Sequence, residues 1–357
     1  MNAPIQKSIQ IAEAATPADH PEFDGHENIV FAHDEESGLR AIIAVHNTKR
    51  GPALGGCRMW SYSNTGEALT DALRLSKGMS YKNALAGLDL GGGKSVIIAN
   101  PREHKTPQLL RAFGRHVHRL GGTYITAEDV GITAADMEII GSQTPFAKGT
   151  EATGLGDPSP YTALGVFEGI KAAVAFKNGT DDLKGARVSV QGLGNVGYTV
   201  ARHLHIAGAE LIVSDINETT VQRACDEFGA QSIAPNTAHA ADCDVFAPCA
   251  LGAGLNTLTI PQIKAPIVAG AANNQLQTTE DGVVLFERGI LYAPDYAINA
   301  GGVISIALAG AGDSDDHVRQ KTENIFNTLT EIFKRSAAEG RPTSVVADEL
   351  AEEILQR

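Results

Sequence analysis

The chain has 357 residues, 43 % of them hydrophobic and 20 % charged, with a formal net charge of −13. That length suits about two domains, and the composition excludes disordered, collagen-like and fibrous classes. An acidic surface repels phosphate backbones and anionic bilayers, so neither nucleic acid nor a membrane is expected as a partner.

Residues 1 to about 25 read as a tail with one short amphipathic patch. Charges interrupt its apolar residues, so no signal peptide is expected there, and no run of 18 apolar residues occurs anywhere. Ile29–Ala32 and Leu39–Val45 read as two strands joined into a hairpin by the polar turn Glu35–Gly38. A glycine-rich loop, Gly51–Gly56, follows. Residues 65–79 form an amphipathic helix with Ala68, Leu69, Ala72, Leu73 and Ser76 on one stripe. A second helical stretch carries Lys82, and Gly91-Gly92-Gly93 ends it. Val96-Ile97-Ile98 is a buried strand, 107–120 a helix, and Tyr124-Ile125-Thr126 a strand followed by Asp129.

The segment GTEATGLGDPSPYT is poor in apolar residues and rich in Gly, Pro, Ser and Thr, which marks a hinge at about 150–161. Beyond it, apolar strands at 188–191, 211–214, 245–247, 267–269 and 291–293 alternate with helical segments. That alternation predicts a parallel, doubly wound sheet. A long helix over 316–338 and another over 344–356 close the chain.

The sharpest local signal is VSVQGLGNVGYTVARHLHIAGAELIVSDIN. It holds Gly192-x-Gly194-x-x-Gly197 between an apolar strand and a helix, with Asp215 ending the next strand 18 residues after Gly197. Gly192 permits the tight turn, Gly194 lets a pyrophosphate approach the backbone, and Gly197 allows close helix–strand packing. The helix N-terminus offers free N–H groups to the phosphates. Asp215 accepts from the adenosine ribose hydroxyls and repels a 2′-phosphate, and no Arg or Lys follows before Arg223, so NAD is expected rather than NADP.

Lys82 in GMSYKNA and Lys94 in GGGK lie in apolar or Gly-rich surroundings, which disfavour a lysine unless its charge is used or paired. Desolvation draws a lysine toward neutrality and makes a general base of it. On spacing alone, these remain equally readable as surface lysines beside turns. Cys57, Cys225, Cys243 and Cys249 form no C-x-x-C pair and are expected as reduced cytoplasmic thiols, without a metal site. His116/His118 and His203/His205 are spaced by two, which does not place a pair on one helix face. They are taken as surface or packing residues, and Trp60 and Tyr62 are expected to pack near the cleft.

The segments GPALGGCRMW, DALRLSKGMSYKNALAGLDLGGGKSVII, TAEDVG, QGLGNVG, CDVFAPCALGA, AGAANNQL and GILYAPDYAINAGGVI closely resemble the leucine dehydrogenases, within the wider Glu/Leu/Phe/Val amino acid dehydrogenase superfamily. The resemblance runs from about residue 28 to the C-terminus. It implies an α/β fold of two domains around a cleft. Residues 1–150 form a substrate and oligomerisation domain, 151–324 a Rossmann-type NAD-binding domain, and a C-terminal helix, 325–357, rejoins the first. It also implies a homo-oligomer, from dimer to octamer.

Carried onto this sequence, the resemblance makes Lys82 the partner of the substrate α-carboxylate and Lys94 the base that activates water. Asp129 becomes the acid/base at the amino and imino nitrogen. Hydride passes from Cα to the nicotinamide, and water then releases ammonia and a 2-oxo acid. Gly55 and Gly56 line the substrate loop, and Asn274 touches both the carboxylate and the nicotinamide side. Leu54 and Ile306 stand where glutamate dehydrogenases hold a side-chain carboxylate. With Met79, Ala127 and Val303 they form an aliphatic wall, so a branched-chain amino acid is expected. The cofactor set is Gly192, Gly194, Asn195, Val196, Gly197, Asp215, Cys249, Ala250, Asn274 and Asn299, with no redox role for Cys249. Two departures from leucine dehydrogenases stand out: Ile306 replaces the usual valine and Cys57 the usual threonine. A valine or phenylalanine dehydrogenase is the alternative, and a non-catalytic NAD-binding sensor a remote one.

Overall fold

The computed structural model describes residues 16–150, 157–250, 252–308 and 313–357. Its first sheet contains β1 (Asn28–Asp34), β2 (Leu39–Asn47), β3 (Ala53–Trp60), β4 (Gly91–Ile98) and β5 (Tyr124–Glu128), in the order β1-β2-β4-β3-β5. β1 and β2 form the expected antiparallel hairpin. β2 is antiparallel to β4, whereas β3 runs parallel to both β4 and β5. Side-chain alternation divides the strands between two cores. Ile42, Ala44 and Val96 pack against α1 (Thr65–Leu85). Ala41, Ile43, Val45 and Ile97 face α2 (Pro107–Arg119) and α3 (Ala134–Gly141).

Three sequence expectations change here. The glycines at 55 and 56 lie within β3 and not in a loop. The helix expected over 65–79 and the stretch carrying Lys82 are one helix, α1, opened by Asn64, whose side chain accepts from the Glu67 N–H. The buried stripe runs on through Ser80 and Asn83, whose polarity hides it from a hydrophobic pattern. Gly91-Gly92-Gly93 does not end a helix but begins β4. A Cβ at Gly92 would lie 2.0 Å from the Ser80 nitrogen, so the missing side chain lets α1 rest directly on the strand.

The second half contains α4 (Ser159–Asn178), β6 (Arg187–Gln191), α5 (Asn195–Ile206), β7 (Glu210–Ser214), α6 (Glu218–Phe228), β8 (Gln231–Ser232), β9 (Val245–Pro248), β10 (Ile267–Val268), α7 (Thr279–Glu287), β11 (Leu291–Tyr292), α8 (Asp295–Ile298) and α9 (Gly301–Leu308). Its sheet is parallel throughout, in the order β11-β10-β9-β6-β7-β8. The chain order reverses between β6 and β9, which is the switch point where doubly wound sheets open a crevice beyond their strand ends. The expected hinge falls on 150–161, of which 151–156 lie outside the described residues.

The helix expected over 316–338 is two helices, α10 (Asp315–Glu323) and α11 (Ile325–Glu339), parted at Asn324. Asparagine competes for backbone hydrogen bonds and favours helix ends over interiors. α12 (Thr343–Gln356) returns to the first half, where the Tyr81 hydroxyl of α1 donates to Glu352 at 2.6 Å. Among the described residues no helix is long and apolar enough to cross a membrane.

Candidate active site

Between the two halves lies a cavity of about 400 Å³. β3, α1, β4 and β5 supply one wall. The loop after β10, with α8 and α9, supplies most of the other. Lys82, Lys94 and Asp129 all line it.

Lys82 sits in the last turn of α1, held where the helix presses on the β4 glycines. Its Nζ is 3.5 Å from Asn273 Oδ1 of the opposite wall. Burial pushes this lysine down to about 8, opposed by the Asp295 carboxylate and reinforced by Lys94. Lys94, on β4, is 6 % exposed. Its Nζ lies 2.7 Å from Asp129 Oδ2, just beyond β5. Burial raises the Asp129 carboxyl, but Lys94, Arg58 and the Val130 N–H outweigh it and hold the group at about 2. Asp129 therefore rests as an anion. A Cβ on Gly56 would fall 2.8 Å from Asp129 Cβ and 3.3 Å from Lys94 Nζ, so only glycine leaves the pair room.

On the opposite wall, Asn299 donates from Nδ2 to Asn273 Oδ1 at 2.8 Å and to the Ala271 carbonyl at 3.0 Å. Its buried Oδ1 has no hydrogen-bond partner among the described residues, which suits an acceptor kept for a bound amide. Asn274 lines the same cavity with φ of 51°, a left-handed backbone that asparagine tolerates. Of the two asparagines, Asn273 makes the contact to Lys82. Leu54, Met79, Ala127, Val303 and Ile306 also line the cavity and supply its apolar side. The site thus joins cationic and amide groups for a small anionic head to an aliphatic wall for its side chain.

A second hollow of about 520 Å³ is lined by Leu193, Gly194, Asn195, Tyr198, Asp215, Asn217 and Arg223, among others. Gly192 adopts φ of 97°, and a Cβ there would meet the Ala250 backbone at 2.8 Å. At Gly194 nothing among the described residues lies within 4 Å of a Cβ, so the turn is open there to a pyrophosphate. A Cβ on Gly197 would meet the Gly192 carbonyl at 2.0 Å. Cys249 closes the other side, its N–H donating to the Gln191 carbonyl at 2.7 Å, and burial pushes its thiol up to about 11. Asp215 accepts from the Leu193 N–H at 2.6 Å and the Asn217 N–H at 2.8 Å, which fixes it beside the glycine turn. Val196 faces the first cavity and Asn195 the second, so the two hollows meet along the start of α5. Glycine turn, helix N-terminus and acidic strand end together fit a dinucleotide.

Sequence reasoning passed over Arg58, Asn273 and Asp295, all on the cavity wall. The period of two along β3 pointed to Arg58, since Leu54, Gly56 and Arg58 share a face. Trp60, expected to pack near the cleft, is 52 % exposed and lines a hollow with Tyr62 and Asp71 that shares Arg58 with the cavity. His118, His203 and His205 lie against Phe146, Phe167 and Phe228 as packing residues.

A family model described as Glu/Leu/Phe/Val dehydrogenase, dimerisation domain, matches residues 26–146. A second, described as Glutamate/Leucine/Phenylalanine/Valine dehydrogenase, matches 154–224 and 213–351. The chain is 52 % identical over 334 residues to a leucine dehydrogenase of Bacillus subtilis (strain 168), covering 93 % of this chain and 92 % of the relative. It is 43 % identical over 339 residues to a valine dehydrogenase of Streptomyces virginiae, covering 94 % and 95 %. The crystal structure of L-tryptophan dehydrogenase from Nostoc punctiforme superposes with a TM-score of 0.84 at 45 % identity, covering 93 % of this chain and 96 % of that one.

Proposed function

The chain belongs to the Glu/Leu/Phe/Val dehydrogenase family, and on that premise we propose that it catalyses the reversible, NAD-dependent oxidative deamination of L-leucine and other branched-chain L-amino acids to 2-oxo acids and ammonia. The observation that carries this reading is the single cavity in which Lys82, the Lys94–Asp129 pair and the Leu54, Met79, Ala127, Val303 and Ile306 wall face one another.

In this reading Lys82 holds the substrate carboxylate, aided by Asn273. Asp129, already an anion, takes a proton from the substrate nitrogen. The bound nicotinamide supplies the hydride acceptor. Lys94, once it has lost its own proton to solvent, removes a proton from the attacking water, and Asp129 returns one so that ammonia leaves. The apolar wall excludes bulk water from the side chain and does not repay the desolvation of a second carboxylate, which disfavours glutamate. Arg58, a further cation on the wall, is already held by Asp71 and Asp129.

Asp215, anchored by two N–H groups, favours NAD by repelling a 2′-phosphate. Arg223 belongs to the same hollow but stacks on Tyr198, 3.8 Å from the ring centroid. We further assign residues 1–150 with 325–357 to the substrate domain and 151–324 to the NAD domain. The family description as a dimerisation domain supports a homo-oligomer built through the first half. Four free thiols suit a reducing, cytoplasmic compartment.

The test is NADH formation across the twenty amino acids, repeated with Lys94→Ala. Branched-chain substrates are expected to give the highest kcat/KM, and the variant to bind NAD but lose turnover. NAD binding with no NADH formed from any amino acid would replace the enzyme with a nucleotide sensor. A preference for valine would favour the valine dehydrogenase reading, which the bulk of Ile306 also suits.

A further inference from the structure

Arg58 carries no role in the reaction as described above, yet it reaches the reacting carboxylate. Its Nε donates to Asp129 Oδ2 at 3.0 Å and its Nη1 to Asp71 Oδ2 at 2.9 Å. The Tyr62 hydroxyl donates to that same Asp71 oxygen at 2.5 Å. Lys94 Nζ sits 2.7 Å from Asp129 Oδ2. One carboxylate oxygen therefore receives two cations, from the adjacent strands β3 and β4. The arginine is also shared with Asp71, a carboxylate on α1.

The charges of Lys94, Arg58, Asp129 and Asp71 sum to zero. When Lys94 gives up its proton, the remaining three sum to −1. An uncompensated anion beside a lysine favours the charged ammonium and opposes that loss. A lysine that is to take a proton from water must first be neutral. Arg58 is a permanent cation with a planar fork, which suits it to hold two carboxylates at fixed geometry and offset one of them.

We propose that Arg58 is a positioning residue for the reaction: it fixes Asp129 and offsets its charge so that Lys94 is released to act as the base, while Asp71 sets how much of that offset Asp129 receives. The proposal rests on the reading of Lys94 as the base.

Other ionisable groups face this cluster, and on α1 Glu67 and Arg74 line the hollow that also contains Arg58, Tyr62 and Asp71. Lys82 on α1 and Asp295 on α8 oppose each other across the cavity. Burial holds the Cys57 thiol at about 12 and raises the Tyr124 phenol, so both are neutral. Burial and its Asp71 contact raise the Tyr62 phenol as well. Glu128 on β5 is raised by burial and by Asp157, away from the cluster.

The experiment is the pH dependence of kcat/KM for L-leucine with saturating NAD, in the wild type, Arg58→Gln, Arg58→Lys, Asp71→Asn and Lys94→Ala. Arg58→Gln is expected to move the acidic limb up by about one pH unit, a roughly tenfold loss at a fixed pH on that limb. Arg58→Lys restores the charge and is expected to return the limb toward the wild-type position. Asp71→Asn leaves Arg58 wholly to Asp129 and is expected to move the limb the opposite way, to lower pH. A purely structural role lowers kcat without these opposed shifts. Arg58→Gln with an unmoved limb, or both neutral variants shifting in one direction, overturns the proposal. If Arg58→Gln does not fold, the sign of the Asp71→Asn shift decides alone. Lys94→Ala with turnover intact overturns the Lys94 reading and this proposal together, whereas a dead Lys94→Ala beside unmoved limbs overturns this proposal only.

Discussion

Gly56 stands directly in front of the Lys94–Asp129 ion pair, and a Cβ added to it would come within 2.8 Å of Asp129 Cβ and 2.7 Å of the Glu128 carbonyl. No real contact of a Cβ is that short, so Gly56→Ala must push Asp129 aside. Displacement of a reacting group by about 1 Å costs on the order of a hundredfold in rate. The expected result is a kcat lowered about that much with NAD binding unchanged, read by steady-state kinetics and by quenching of protein fluorescence. A kcat within twofold of wild type would show that the strand relaxes without moving the pair.

Lys82 gives a pH signature of its own. Burial places it at about 8, below the usual lysine range, despite the nearby Asp295 carboxylate. On the proposed role, its ammonium form would hold a substrate carboxylate below that pH and its neutral form would not above it. The expected outcome is an alkaline limb in kcat/KM near pH 8, carried mainly by a rising KM. Lys82→Arg keeps the charge and is expected to remove that limb from the accessible range. Lys82→Met is expected to lower kcat/KM by roughly a hundredfold, the size of a lost charge-assisted hydrogen bond. Persistence of the same limb in Lys82→Met would assign it elsewhere.

Ile306 and Leu54 share the aliphatic side of the cavity. Ile306→Val removes one methylene from the wall and enlarges the room for a branched side chain. A methylene in an apolar pocket discriminates by about tenfold or more. The leucine-to-valine ratio of kcat/KM is expected to rise by about that factor. An unchanged ratio in a two-substrate competition would take Ile306 out of the specificity wall.

Asp215 is pinned at the glycine turn with Arg223 lining the same hollow. On the proposed NAD preference, Asp215→Ser would remove the like charge facing a 2′-phosphate and leave the arginine. The NAD-to-NADP ratio of kcat/KM is expected to fall by at least about tenfold, with most of the change in KM for the nucleotide. A ratio that stays put would mean that discrimination arises elsewhere in the hollow.

Much of the second half was legible in the chain itself. Apolar strands at regular intervals, a glycine turn and an acid at a strand end are local patterns, and local patterns survive without knowledge of the fold. The parallel sheet and the placement of Gly194 and Asp215 in one hollow follow from them. The first half was less legible because its elements are held by missing side chains. Gly91-Gly92-Gly93 and Gly55-Gly56 read as loops by residue type, yet they are strands that a helix and an ion pair must approach closely.

Length, residue type and spacing alone predicted about two domains, a parallel α/β sheet and a dinucleotide-binding glycine turn, but left Lys82 and Lys94 equally readable as surface lysines, and only the family resemblance gave them and Asp129 a role. Only the tertiary structure decided that Arg58 and Lys94 share one oxygen of Asp129, and that Asn273 is the asparagine reaching Lys82. The reason is physical: periodicity encodes which face of an element is buried, whereas charge pairing depends on distances between strands and loops far apart in the chain.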